Sequence, residues 1–371
     1  MSSPTSNTIT AVDAIPLSIP FTHADGRTGV SGASGDWISI DLLLVRVETS
    51  MGLVGWGESF GYMLRDMPRA AITSCLAPLL IGREVKEALT HRDEIARRVH
   101  SYGRGGSIQF ALSGVDIALW DLLGKQLDRP IHTLIDGHRS TFSAYASLFR
   151  YGDPDVCAST AERARAAGFR TIKLHETAVE PIAAAREACG DRIAIATDVN
   201  CAWTPQEAIA RIRDLERLGL SWVEEPIWPP EDYEQLTHVR SSVTTAISSG
   251  ENESNATTLR RLAESNAVDI LQPSITKFGG ISEFVRFLQT TDLDGKRVIP
   301  HSFYIGPGLL ATLHAASLAP DDTMIEWMFA NPEASVFTDP VEPRDGYLEI
   351  PDGPGLGRDP DPAVIARYRA D

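Results

Sequence analysis

Ile193-Ala-Ile-Ala-Thr-Asp198, Ser221-Trp-Val-Glu224 and Ala246-Ile-Ser-Ser-Gly-Glu251 are three short apolar runs, each ending on an acidic residue. The three carboxylates lie 26 and 27 residues apart. One strand, one helix and two short loops consume roughly 25 residues. The three residues therefore hold equivalent places in three successive βα units. The stride continues backwards to Lys173 and Ser147 and forwards to Ser274, His301 and Glu326. Eight polar residues at the ends of eight apolar runs predict a (β/α)₈ barrel, whose strand ends converge on one mouth. Three hard oxygen ligands meeting there suit Mg²⁺.

The 371 residues exceed what a barrel alone needs. Before the alternation begins, residues 8–18, 39–48 and 52–59 read as strands, the last two as a hairpin around Thr49-Ser-Met-Gly52. Gly26 to Gly35 is too polar and glycine-dense for an element. Residues 66–101 read as two or three helices broken near Gly82, and Ser107 to Leu127 as one long helix. The expected fold is α/β, a modified (β/α)₈ TIM barrel with an α+β capping domain. Its parts are residues 1–140 (cap), 141–328 (barrel) and 329–371, a tail that returns to the cap and closes with a short helix near 362–369.

A formal net charge of −16, from 34 basic and 50 acidic residues, argues against nucleic acid or an anionic membrane as partner. An acidic protein that takes an anionic substrate needs a local cation, which a metal would supply. Cys75, Cys157, Cys189 and Cys201 have no C-x-x-C spacing and read as buried, reduced thiols of a cytoplasmic enzyme. The first residues carry no basic stretch followed by an apolar one, so no signal peptide is expected.

Lys173 and His175 are two apart on one predicted strand and project from the same face. A lysine beside a divalent cation loses some preference for charge, or stays cationic and holds an anionic oxygen. A histidine needs little tuning to act as a base, because an ordinary imidazole titrates near ~6.5.

In order, Lys173-Leu-His175, Asp198-Val-Asn200, Glu224-Glu-Pro226, Gly250-Glu-Asn252, Gly279-Gly280, His301 and Glu326-Trp327 resemble the enolase superfamily, in its mandelate racemase subgroup. The helix motif Ser113-Gly-Val-Asp-Ile-Ala-Leu-Trp-Asp-Leu122 extends the likeness into the cap, so that it covers nearly the whole chain. The resemblance implies that a carboxylate substrate chelates Mg²⁺ held by Asp198, Glu224 and Glu251. A base then removes the α-proton to give an enediolate. It implies Lys173 as the carboxylate clamp, with Glu326 and Ser147 on the same group, and His175 and His301 on opposite faces of the substrate. Asn200, Ser274 and, from the cap, His23 and Tyr62 complete the residues expected near substrate. Asp25 and Arg27 are further candidates for binding hydroxyls. Homo-oligomers are common among such relatives.

Two departures shape the expected reaction. His175 stands where the subgroup more often has a second Lys, a weaker base but a neutral one. Ser274 stands where relatives carry the Asp that orients the strand-seven histidine, and a hydroxyl supplies no charge. One good base and one weakened partner favour β-elimination from a polyhydroxy acid, dehydration to a 2-keto-3-deoxy acid. The alternatives are a racemase, epimerase or cycloisomerase working through the same enediolate, or a silent relative that binds metal and ligand.

Overall fold

The computed structural model of the chain describes residues 7–22, 30–32 and 35–370. His23, Asp25 and Arg27 lie outside them. The N-terminal section builds an antiparallel sheet from β1 (Ile9–Thr22), β4 (Ser39–Thr49) and β5 (Val54–Ser59). Alternation in β1 and β4 buries Leu17, Ile19, Leu42 and Leu44 toward one core and Leu43, Val45 and Val47 toward another. The helix Gly106–Leu127 covers this second face. It approaches unusually closely, because a Cβ on Gly57 would fall 2.0 Å from the Gly114 carbonyl oxygen. Only glycine permits that contact.

The glycine-rich stretch after β1 contains an element that the composition hid. β2 (Val30–Gly32) and β3 (Gly35–Trp37) form a small antiparallel ladder, Val30 opposite Trp37 and Gly32 opposite Gly35. The ladder depends on backbone pairing, which side-chain composition reports poorly.

The barrel has eight parallel strands: β6 (Thr141–Ser147), β7 (Thr171–Leu174), β8 (Ala194–Asp198), β9 (Val223–Glu224), β10 (Ile247–Ser249), β11 (Ile270–Leu271), β12 (Arg297–Val298) and β13 (Ile325–Met328). Their spatial order is β12-β11-β10-β9-β8-β7-β6-β13. At the seam between β12 and β13, Ser302 donates its backbone N–H to Glu326 Oε2 at 2.8 Å and its hydroxyl to the Glu326 carbonyl at 2.9 Å. Tyr145, Ala196, Trp222, Ile270 and Ile299 pack together as a separate cluster of inward-facing side chains. The crossover helices start where the sequence caps them: Asp153 and Thr204 each precede a proline at the first turn, and Thr204 forms a capping box with Glu207.

The tail carries more regular structure than its proline and glycine content predicts. β14 (Asn331–Pro332) pairs with β1, and the helix Pro362–Tyr368 also packs on that strand. β15 (Tyr347–Glu349) pairs antiparallel with β6, so part of the tail joins the barrel instead of the cap. All four cysteines are free, but Cys75 and Cys201 are only half-buried.

Candidate active site

Asp198 ends β8, Glu224 ends β9 and Glu251 follows β10 by two residues. Gly250, at φ +130°, turns the chain between Ser249 and Glu251, and a Cβ there would press on the Gln272 backbone at 3.1 Å. Parallel pairing sets Asp198 beside Glu224. One oxygen from each of the three carboxylates lies within 4.8 Å of the others.

Each carboxylate is held from behind. Asp198 Oδ1 accepts the Asn200 N–H at 2.8 Å. Glu224 Oε2 accepts from Gln272 Nε2 at 2.7 Å and Trp222 Nε1 at 3.3 Å. Lys277 Nζ donates to Glu251 Oε1 at 2.9 Å. Burial, opposed by Lys173 and reinforced by the neighbouring carboxylates, pushes Asp198 up to about 6 and Glu224 up to about 7. Burial also acts against ionised Glu251, but His301 and Lys277 outweigh it and draw this group well below the usual carboxylate range. Buried, mutually repelling hard oxygens are the donor set that a divalent cation satisfies.

Lys173 is fully buried. Its Nζ lies 2.7 Å from Glu326 Oε1, 2.9 Å from Glu224 Oε1 and 3.6 Å from Asp198 Oδ2. Burial disfavours its charge, yet Glu224 and Glu326 overcome that and hold it firmly cationic. Glu326, for its part, is disfavoured as an anion by burial but drawn down to about 2, chiefly by Lys173. Ser147 ends β6 between these two strands, and its buried hydroxyl meets no hydrogen-bond partner among the described residues.

His175 directly follows β7. Its Nδ1 bonds the Leu148 carbonyl, which can only accept, so Nδ1 carries the proton in the neutral ring. Nε2 then presents a lone pair at the mouth, 3.4 Å from Asp198 Oδ2. Burial first, and then the nearby Lys173 charge, lower this imidazole to about 4. Arg150 steadies the segment by donating to the His175 carbonyl at 2.6 Å.

His301 is joined to Ser274 by a parallel bridge between the segments after β11 and β12. Its Nε2 is 3.3 Å from Glu251 Oε2, and its Nδ1 is 3.1 Å from Ser274 Oγ. Ser274 is buried against the ring on the side away from Nε2. Tyr304, fully buried, brings its hydroxyl to 3.3 Å from the same Nδ1 and into contact with Ser274 Oγ.

The structure thus gathers Ser147, Lys173, His175, Asp198, Glu224, Glu251, His301 and Glu326 at one mouth, with Ser274 behind His301. Asn200 serves the site through its backbone, at φ +47°, while its side chain accepts from Arg150 at 3.1 Å on the exposed rim. Tyr62 enters from the cap, its ring 5.2 Å from Trp37 and 6.5 Å from Phe303, and its buried hydroxyl lacks a partner among the described residues. Trp37, Phe149 and Phe303 form an aromatic wall that reaches the His175 ring, 5.9 Å from Phe303. Sequence reasoning missed Tyr304, Lys277 and Phe303. Tyr304 and Lys277 each lie three residues beyond a polar strand end, in turns for which the stride carries no signal.

Residues 156–364 match the family described as enolase C-terminal domain-like, and residues 25–136 match the mandelate racemase / muconate lactonizing enzyme N-terminal domain. The chain is 31% identical to D-galactarolactone cycloisomerase of Agrobacterium fabrum, over 88% of this chain and 91% of that protein. It is also 31% identical to arabinonate dehydratase of Saccharolobus solfataricus, over 89% and 91%. The crystal structure of a mandelate racemase/muconate lactonizing protein from Paracoccus denitrificans, complexed with magnesium, superposes with a TM-score of 0.85 at 28% identity, covering 98% of this chain and 99% of that one. No helix among the described residues is long and apolar enough to cross a membrane.

Proposed function

Because the chain belongs to the mandelate racemase / muconate lactonizing enzyme family of the enolase superfamily, we propose that it abstracts the α-proton of a sugar acid and eliminates the β-hydroxyl, giving a 2-keto-3-deoxy acid. The observation that carries this reading is the asymmetry of the two histidines. His175 offers a free Nε2 lone pair, with its other nitrogen fixed by the Leu148 carbonyl. His301 has only hydroxyl groups behind Nδ1. Racemisation asks for two competent bases, whereas elimination asks for one base and one acid.

Asp198, Glu224 and Glu251 are the residues that would hold Mg²⁺, which would supply Lewis-acid charge to the reaction. Lys173, cationic and preorganised, faces the charge that develops on the carboxylate oxygens as the α-proton leaves. Ser147 donates its unpartnered hydroxyl to the same group. An ionised Glu326 has no hydrogen to give, so its part is to hold Lys173 in place. His175 Nε2 takes the proton, and His301 hands one to the departing hydroxyl, which leaves as water. Residues 1–140 with 329–371 select the substrate, and residues 141–328 carry the chemistry.

Cycloisomerisation of a lactone or anhydro-sugar acid is the second reading. The likeness to D-galactarolactone cycloisomerase favours it, as does an aromatic wall suited to a ring's C–H face. A screen of mono- and di-acid sugars and their lactones in D₂O with Mg²⁺, followed by proton NMR, separates the two. Loss of the α-signal with a new 2-keto-3-deoxy product supports dehydration. Ring opening or α-exchange without loss of water overturns it.

A further inference from the structure

Nδ1 of His301, Ser274 Oγ and Tyr304 OH form a closed triangle in which every pair is in contact. Ser274 and Tyr304 come from different barrel segments. Ser274 is set beside His301 by the bridge between the chain after β11 and the chain after β12. Tyr304 is folded back because its N–H bonds the Ser302 carbonyl at 2.7 Å. The Tyr304 ring then stands edge-on to the imidazole at 5.6 Å and 81°. Ser274 is 0% and Tyr304 1% exposed, so water does not compete for these contacts.

We propose that Tyr304 is a positioning residue for His301, acting with Ser274 as a neutral hydroxyl pair in the place where the resemblance expects a carboxylate. The inference rests on His301 facing the substrate, as in the reading above. A carboxylate behind an imidazole only accepts, and so it fixes a hydrogen on Nδ1. A hydroxyl accepts through its lone pairs or donates its own hydrogen. Two hydroxyls that also touch each other can rotate together, receiving Nδ1–H in one state and giving a hydrogen to a bare Nδ1 in the other. The ring keeps its plane and its aim in both states, and the pair itself imposes neither tautomer, leaving that choice to the group facing Nε2, Glu251 Oε2 at 3.3 Å. Burial keeps the Tyr304 phenol far above its usual value, which leaves it a neutral partner throughout.

The test uses the Mg²⁺-loaded full chain with ¹⁵N-histidine labelling, and the His301→Gln variant assigns the His301 signals. Wild type is expected to populate the Nε2–H tautomer, with a hydroxyl donating to Nδ1, and Ser274→Asp is expected to drive the ring to the Nδ1–H form. These measurements need no substrate, so they can fail while the proposed reaction stands, or hold while it falls. On an active substrate, Tyr304→Phe should lower kcat about tenfold with little change in KM. Ser274→Asp should restore much of that loss in the same background, since a carboxylate orients the ring without help from the phenol. The effects of Tyr304→Phe and Ser274→Ala should not add. A wild-type ring already fixed as Nδ1–H overturns the proposal, as does a Tyr304→Phe enzyme within twofold of wild-type kcat. Additive Ser274→Ala and Tyr304→Phe effects overturn it too. If Tyr304→Phe fails to fold, the comparison of Ser274→Ala with Ser274→Asp by ¹⁵N shift decides.

Discussion

Lys173 Nζ and Glu326 Oε1 meet at 2.7 Å although their strands are not neighbours: β6 runs between β7 and β13. The pair closes over the end of β6, where Ser147 holds its unpartnered hydroxyl. A cation, an anion and a buried hydroxyl with no partner among the described residues thus share one corner of the mouth, beside the three carboxylates. Lys173 there offsets only part of the carboxylates' charge.

Replacing Lys173 by Met removes the cation that compensates Glu224 and Glu326. Deleting one partner of a buried charge network costs roughly 3–5 kcal/mol. Urea titration of metal-free Lys173→Met should show that loss, and turnover should fall by at least about a hundredfold. A variant as stable as wild type would mean that the carboxylates neutralise themselves by taking up protons.

The stabilisation conferred by Mg²⁺ should grow with pH. Asp198 and Glu224 have folded-state values raised to about 6 and about 7. A raised carboxyl contributes stability below its unfolded value, near ~4, and loses it as pH climbs through the folded one. Metal-free protein therefore loses this contribution between about pH 4 and pH 7, where a bound cation returns it. His175, lowered to about 4, works in the opposite sense, losing its contribution as pH falls from ~6.5. Calorimetry at fixed excess Mg²⁺ should give a small Tm increase at pH 5 and a larger one at pH 8. A saturating hundredfold excess over Kd corresponds to about 2.7 kcal/mol. An increment that shrinks with pH would contradict the assigned ligands.

His175→Ala should abolish α-proton exchange in D₂O, a loss of about 10²–10⁴-fold, while Mg²⁺ binding by calorimetry stays intact. In wild type the acid limb of kcat/KM should fall below ~6.5, the midpoint of an ordinary imidazole, because burial and Lys173 both disfavour the charged ring. Wild-type exchange in the alanine variant would show that another group is the base.

Tyr62→Phe keeps the ring packing against Trp37 and removes a hydroxyl that has no partner among the described residues. If that hydroxyl binds substrate, KM should rise about tenfold, the worth of a hydrogen bond of roughly 1–1.5 kcal/mol, with thermal stability unchanged. An unchanged KM would confine Tyr62 to packing.

The barrel and its mouth were legible because each βα unit consumes a similar length, so a polar residue at a strand end repeats with that stride. Asp198, Glu224 and Lys173 stand where the spacing put them. Residues that act from beyond the strand ends were not legible in the same way. Tyr304 and Lys277 reach the site through turns that bring the chain back on itself, and stride alone says nothing of a returning loop. Asn200 shows the converse: a motif position two residues after Asp198 contributes its backbone N–H, while its side chain, at positive φ, meets Arg150 on the rim. The β2–β3 ladder was missed since glycine and serine carry little strand preference of their own.

β1 lies between β4 and β14 in its sheet, and the Ala370 N–H donates to the Pro16 carbonyl at 2.9 Å. During synthesis, β4 emerges soon after β1, but the partners of β1's other edge follow only after all eight barrel strands. A ribosome adding about 5–20 residues each second leaves that edge uncovered for many seconds. An uncovered strand edge is a template for pairing with another chain. The cap stays half-sheathed until the barrel's last strand and β14 are made together, so the nascent chain passes through a stage in which that edge is open to another chain.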